Sequence, residues 1–97
     1  MSEPDVDVRC DRDGDHWLCL VRVREGPFAT EHRVTVVPAD LVRLDPGAAD
    51  PGRLVGAAFA FLLEREPASS ILRSFDLPVI GRYFPAWEDD VRGRLAR

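Results

Sequence analysis

The strongest constraint on this chain is an alternation of apolar and charged residues that runs up to one Asp-Gly pair, with a second apolar set of the same period beyond it. Val6, Val8 and Cys10 alternate with Asp7, Arg9 and Asp11, and Trp17, Cys19, Val21 and Val23 alternate with Leu18, Leu20, Arg22 and Arg24. Strand side chains point to opposite faces with a period of two, so both segments read as strands with one buried face. Asp13 and Gly14 between them are a strong two-residue hairpin signal. A loop at 13–14 pairs Arg12 with Asp15 and sets Cys10 opposite Trp17, Val8 opposite Cys19 and Val6 opposite Val21. Those apolar residues then share one face, and a one-residue slip breaks the match. Gly26 and Pro27 signal a second turn. A third strand over Ala29–Val37 brings Val34 and Val36 to the same face. The expectation is a three-stranded antiparallel meander over 6–37, with residues 1–5 frayed.

An apolar sheet face must be covered, and only residues 38–97 can do so. Pro38, Ala39 and Asp40 open a short helix with Leu41, Val42 and Leu44 as its apolar residues. Asp50 as N-cap and Pro51 at the first helical position start a longer one, to about Arg65. Leu54, Val55, Ala58, Phe59 and Leu62 form its stripe at i, i+3, i+4 and i+7. Trp17 is expected to pack on Phe59. Beyond Pro85, Trp87, Val91 and Leu95 repeat at i, i+4 and i+8. The fold class is α+β in a single domain of 97 residues, with three to four C-terminal helices on one face of the meander.

Between these helices lies the densest apolar stretch, ILRSFDLPVIGRYFP at 71–85. It reads as helix, tight joint, helix. Ser69 or Ser70 caps a first piece that buries Ile71, Leu72 and Phe75. Asp76 caps a second, with Pro78 in its first turn, where a missing N–H does no harm. The run, with FAFLLEREP before it and the HWLCLVRV and HRVTVV strands upstream, resembles a C-terminal motif of small uncharacterised bacterial proteins. The resemblance covers most of the chain from Trp17 to Trp87 and implies no activity. Lysine, asparagine and glutamine are absent, and every basic residue is arginine. Absence of lysine and asparagine, with their AT-rich codons, fits a high-GC bacterial genome such as an actinobacterium's.

Several chemistries are disfavoured residue by residue. Asp11, Asp13 and Asp15 alternate as calcium ligands can, but Gly14 is fourth in that run and Arg22 stands where an EF-hand needs a glutamate. Cys10, His16, Cys19 and His32 are zinc-ligand types without close pairs, and His16 points away from the cysteines. The expected register sets the cysteines diagonally, which favours reduced thiols. No metal or cofactor is expected. Ser69, Ser70 and Ser74 have no histidine nearby in the chain, and no phosphate-binding glycine loop exists, so no catalysis is expected. The net charge of −4 argues against a nucleic-acid footprint. Helix–joint–helix at 67–84 resembles a helix-turn-helix in outline, the basis of a DNA-binding alternative. Its leading residues, Asp76, Leu77, Pro78 and Val79, suit bases and phosphates poorly. No apolar run is long enough to cross a membrane, and no leader pattern is evident, so a cytoplasmic protein is expected.

What remains is a protein-interaction or regulatory module, with a small enzyme or ligand-binding protein as a further alternative. Two surfaces are expected. Leu77, Ile80 and Phe84 fall inward on the second helix, leaving Val79, Arg82 and Tyr83 outward, with Trp87 beside them, for a protein partner. Leu18 and Leu20, with Val37 next to Leu18, stand on the outer sheet face and make a homodimer the expected self-association.

Overall fold

The computed structural model describes residues 4–96. Strand β1 spans Asp5–Asp13, β2 His16–Glu25 and β3 Phe28–Val36, paired antiparallel in that order. Of the segment expected to fray, residues 1–3 lie outside the described residues and Asp5 already begins β1. Cys19, Val21, Val23, Val34 and Val36 are buried, and Val6, Val8, Cys10 and Trp17 pack partly buried against them. The alternation therefore identifies the inner face correctly.

The hairpin register differs from the expected one by two positions. Asp13 faces His16, Arg12 faces Trp17 and Cys10 faces Cys19. The central turn residues are Gly14 and Asp15, and Gly14 takes φ +67° while, among the described residues, no other residue type has positive φ. Glycine first with positive φ is the signature of a type II′ turn, whose twist matches the flanking strands. The second hairpin repeats it, with Gly26 at φ +59° between Glu25 and Phe28. A two-residue shift keeps every side chain on its own face, so the apolar pattern fits either register and the turn decides.

Facing Cys10 and Cys19 form a disulfide with Cα atoms 4.0 Å apart. This overturns the expectation of reduced thiols, which rested on the diagonal register. Trp17 is likewise displaced as an anchor. It is only partly buried, with the Arg12 guanidinium 5.3 Å from its ring centroid. Phe59 meets His32 at 5.2 Å and Phe75 at 6.2 Å between ring centroids instead.

Helix α1 spans Pro38–Leu44 and α2 Gly52–Leu63. Val37 is the N-cap of α1, and Val42 faces solvent. Leu54, Val55, Ala58, Phe59 and Leu62 of α2 are all buried, as its stripe requires. Pro51 takes the N-cap position, and Asp50 accepts the Gly52 N–H at 2.8 Å. Buried Asp45, at the end of α1, accepts two bonds from Arg53, at 2.9 and 2.8 Å, tying the α1–α2 loop to α2. A bidentate pair of this kind fixes orientation as well as charge.

The 67–84 stretch is not a helix-turn-helix. Ala68–Ser70 is a single 3₁₀ turn, with no side-chain cap from Ser69 or Ser70. The chain then extends into a fourth strand, β4, over Ser74–Asp76, which pairs parallel with β3. Asp76 ends that strand and makes no cap hydrogen bond; a 3₁₀ turn at Leu77–Val79 and a short α3 at Ile80–Tyr83 follow. The sheet is thus mixed and four-stranded, in the order β1-β2-β3-β4. The extended segment wins over a helix because the free edge of β3 satisfies its backbone. Arg33 N–H donates to Arg73 O at 2.7 Å, and His32 Nδ1–H donates to Leu72 O at 2.8 Å. Last comes α4, Trp87–Leu95, which packs Trp87 and Val91 into the core against α2.

Candidate functional site

The end of α2, the extended segment before β4, and α3 enclose an open apolar pocket of about 180 Å³. Leu62 reaches it from α2, Ile71 from the extended segment, Phe75 from β4, and Val79 and Phe84 from either side of α3. Leu72 and Tyr83 stand on its rim, 47% and 65% exposed. Glu66 and Ser70 supply its polar margin. The pocket is smaller than the roughly 300–1,000 Å³ usual for drug-sized ligands, so it suits one apolar side chain.

The pocket divides the expected partner surface. Val79 is half-buried in its wall, Arg82 is exposed nearby on α3 and Tyr83 forms the rim. Trp87 does not join them: it is 1% exposed. Its indole lies under α3, so close to Gly81 that a Cβ there would sit 3.1 Å from Nε1. Leu72 is the residue that sequence reasoning missed. On a helix it would share the buried side with Ile71 and Phe75; on an extended segment it turns outward while Ile71 stays buried.

His32 holds the pocket wall from behind. It is 1% exposed, with Nδ1–H on Leu72 O and Nε2 at 2.9 Å from Thr30 Oγ1. The carbonyl fixes Nδ1 as the donor, so in the neutral ring Nε2 accepts from the threonine hydroxyl. Burial pushes the imidazole pKa below its ordinary value, the Leu72 bond offsets part of that, and the nearby Arg73 charge adds to the lowering. Both ring nitrogens are occupied structurally.

The second surface is the outer sheet face. Leu20 is 46% exposed and Leu18 half-buried there, while Val37 lies one position past Val36 and falls opposite His16 rather than Leu18. Leu18 faces Thr35 across the β2–β3 ladder. A shallow groove of about 570 Å³ crosses this face, between Arg9, Arg22 and Arg33 with Arg73 at its end. The charges here differ from those on and beside α1, α2 and α4. Arg43, Arg53, Arg65, Arg92 and Arg94 all pair with carboxylates at 2.5 to 3.6 Å. Among the described residues, Arg9, Arg22, Arg33 and Arg73 form no ion pair, although Arg22 lies in register between Asp7 and Glu31.

Among the described residues no three histidine, cysteine, aspartate or glutamate side chains come together as a metal site. At the hairpin tip His16 Nδ1 lies 3.2 Å from Asp15 and Nε2 lies 3.5 Å from Asp13. Among the same residues no helix is long and apolar enough to cross a membrane. Compared with known proteins, the chain matches no family model, no curated protein and no solved structure.

Proposed function

We propose that this chain is a protein-interaction module that takes an apolar side chain of a partner protein into the pocket between α2, β4 and α3. The observation that carries the reading is the open apolar pocket with Leu72 and Tyr83 exposed on its rim. A half-exposed leucine beside an exposed tyrosine is a poor use of apolar surface for a domain this small, unless something covers it. Tyrosine and arginine are enriched where partners bind most tightly, and Tyr83 with Arg82 supplies both. The Cys10–Cys19 disulfide supports an oxidising compartment over the cytoplasm as the place where the module works.

The test is selection of peptides from a displayed library on the wild-type protein, followed by affinity measurement on variants. Enriched peptides should share one aliphatic or aromatic residue. Leu72→Asp, and Tyr83→Ala combined with Arg82→Ala, should each weaken their binding by about tenfold or more while the melting temperature moves by only a few degrees. Peptides without a common apolar residue, or equal binding to wild type and variants, would sink the reading.

A further inference from the structure

The outer face of the sheet is open to solvent at Arg9, Leu20, Arg22 and Arg33, and its charges are ordered in rows. Across β1, β2 and β3 one row is Arg9, Leu20 and Arg33. The next, toward the hairpin tip, is Asp11, Leu18 and Thr35, with Asp76 of β4 beside Thr35. A basic row around one leucine therefore lies next to an acidic row around another. We propose that a second copy of this chain covers this face. The two-fold axis lies in the interface, crosses the strands and passes between the Leu18 and Leu20 rows.

That operation lays each row on its neighbour in the other copy. Leu20 meets Leu18 of the other copy. Arg9 meets Asp11, and Arg33 meets Thr35 with Asp76 one strand away. Every contact occurs twice, as a two-fold interface requires. The next rows out place Arg22 over His16. Among the four rows nearest the axis, like charges meet only in Asp7 over Asp13, close to the β1 edge, where water and salt screen them.

The competing arrangements are worse. A two-fold along the strands would set Arg9 on Arg33 and Asp7 on Glu31, like on like. Edge-to-edge pairing of two β1 strands would line up Asp5, Asp7, Asp11 and Asp13 of both copies. A polyanion would meet Asp7, Asp11, Glu31 and Asp76 among the arginines. A face with both signs in separate rows is best complemented by itself. It also gives a facing carboxylate to Arg9, which forms no ion pair among the described residues of its own chain. The face is about 30 Å long and three to four strands wide, at the small end of stable interfaces, so the dimer should be weak.

Sedimentation of the disulfide-bonded chain, up to about 0.5 mM, tests this above the affinity range expected of so small an interface. Wild type should dimerise reversibly, more weakly at high salt. Arg9→Asp and Asp11→Arg should each raise the dissociation constant about tenfold or more, because each sets like charges together twice. Mixing those two variants should restore a heterodimer, since opposite charges then meet at both Arg9–Asp11 contacts. Leu20→Glu should give a monomer that melts within a few degrees of wild type. A wild-type monomer throughout overturns the proposal, and so does a dimer that ignores all three substitutions or a mixture that stays monomeric. A monomer that instead retains heparin at low salt also overturns it and gives the arginines to an acidic partner.

Discussion

His32 shows how much one residue's surroundings change its meaning. In the sequence it is one histidine on a strand, of a type that also binds zinc. In the fold it is a buried imidazole that joins β3 to the segment leading into β4 through Leu72 O, with Thr30 Oγ1 of its own strand on the other ring nitrogen. Burial lowers its pKa, so the unfolded chain, with an ordinary value near 6.5, binds the proton more readily than the folded one. The stabilising contribution is therefore complete above that value and is lost as pH falls below it. Urea unfolding at pH 7.5 and then at pH 5.5 should show a falling midpoint for wild type. His32→Gln keeps a donor and an acceptor without the titration, and its midpoint should change less over the same interval. Parallel curves would assign the pH dependence to other groups. The neighbouring strand position was legible, because Val34 and Val36 share the parity of His32. Its burial against Phe59 was not, because the ring's partner carbonyl is 40 residues away in sequence.

Elements with their own periodicity were readable, and those that borrow hydrogen bonds were not. The stripes of α2 and α4 follow from spacing alone, since a helix satisfies its backbone within itself. Strand β4 has three residues and exists because β3 offers a free edge. Nothing local in Ser74, Phe75 and Asp76 distinguishes that from the last turn of a helix. The same limit reversed the roles of the two tryptophans. Proximity to Tyr83 in the sequence suggests a partner surface for Trp87, yet the stripe it forms with Val91 is the face of α4 that packs inward. Trp87→Ala should cost about 3–5 kcal/mol in chemical unfolding, as large-to-small core substitutions do. Trp17→Ala, at the partly exposed end of the sheet, should cost clearly less, about 1–2 kcal/mol. The reverse order would mean that Trp17 is the principal anchor of the inner face.

At the scale of the whole molecule, the disulfide acts mainly on the unfolded chain. It closes a loop with a sequence separation of 9, which in the chain-entropy account stabilises by about 2.6 kcal/mol. The intact mass should rise by two hydrogens on reduction, and the melting temperature should fall. A mass that reductant does not change would mean free thiols and a different hairpin register. Read alone, the residues give the α+β class, the parity of three strands, and the helical stripes that cover them. Each of these follows from periodicity, which is local and repeats along the chain. The folded hairpin was needed for the pairing of Cys10 with Cys19, because a two-residue shift leaves the apolar pattern unchanged and positive φ at Gly14 selects the turn. The rest of the molecule had the same part in β4, and with it in the outward Leu72 and the pocket beside Tyr83, because a free sheet edge stabilises an extended segment that local spacing reads as helix.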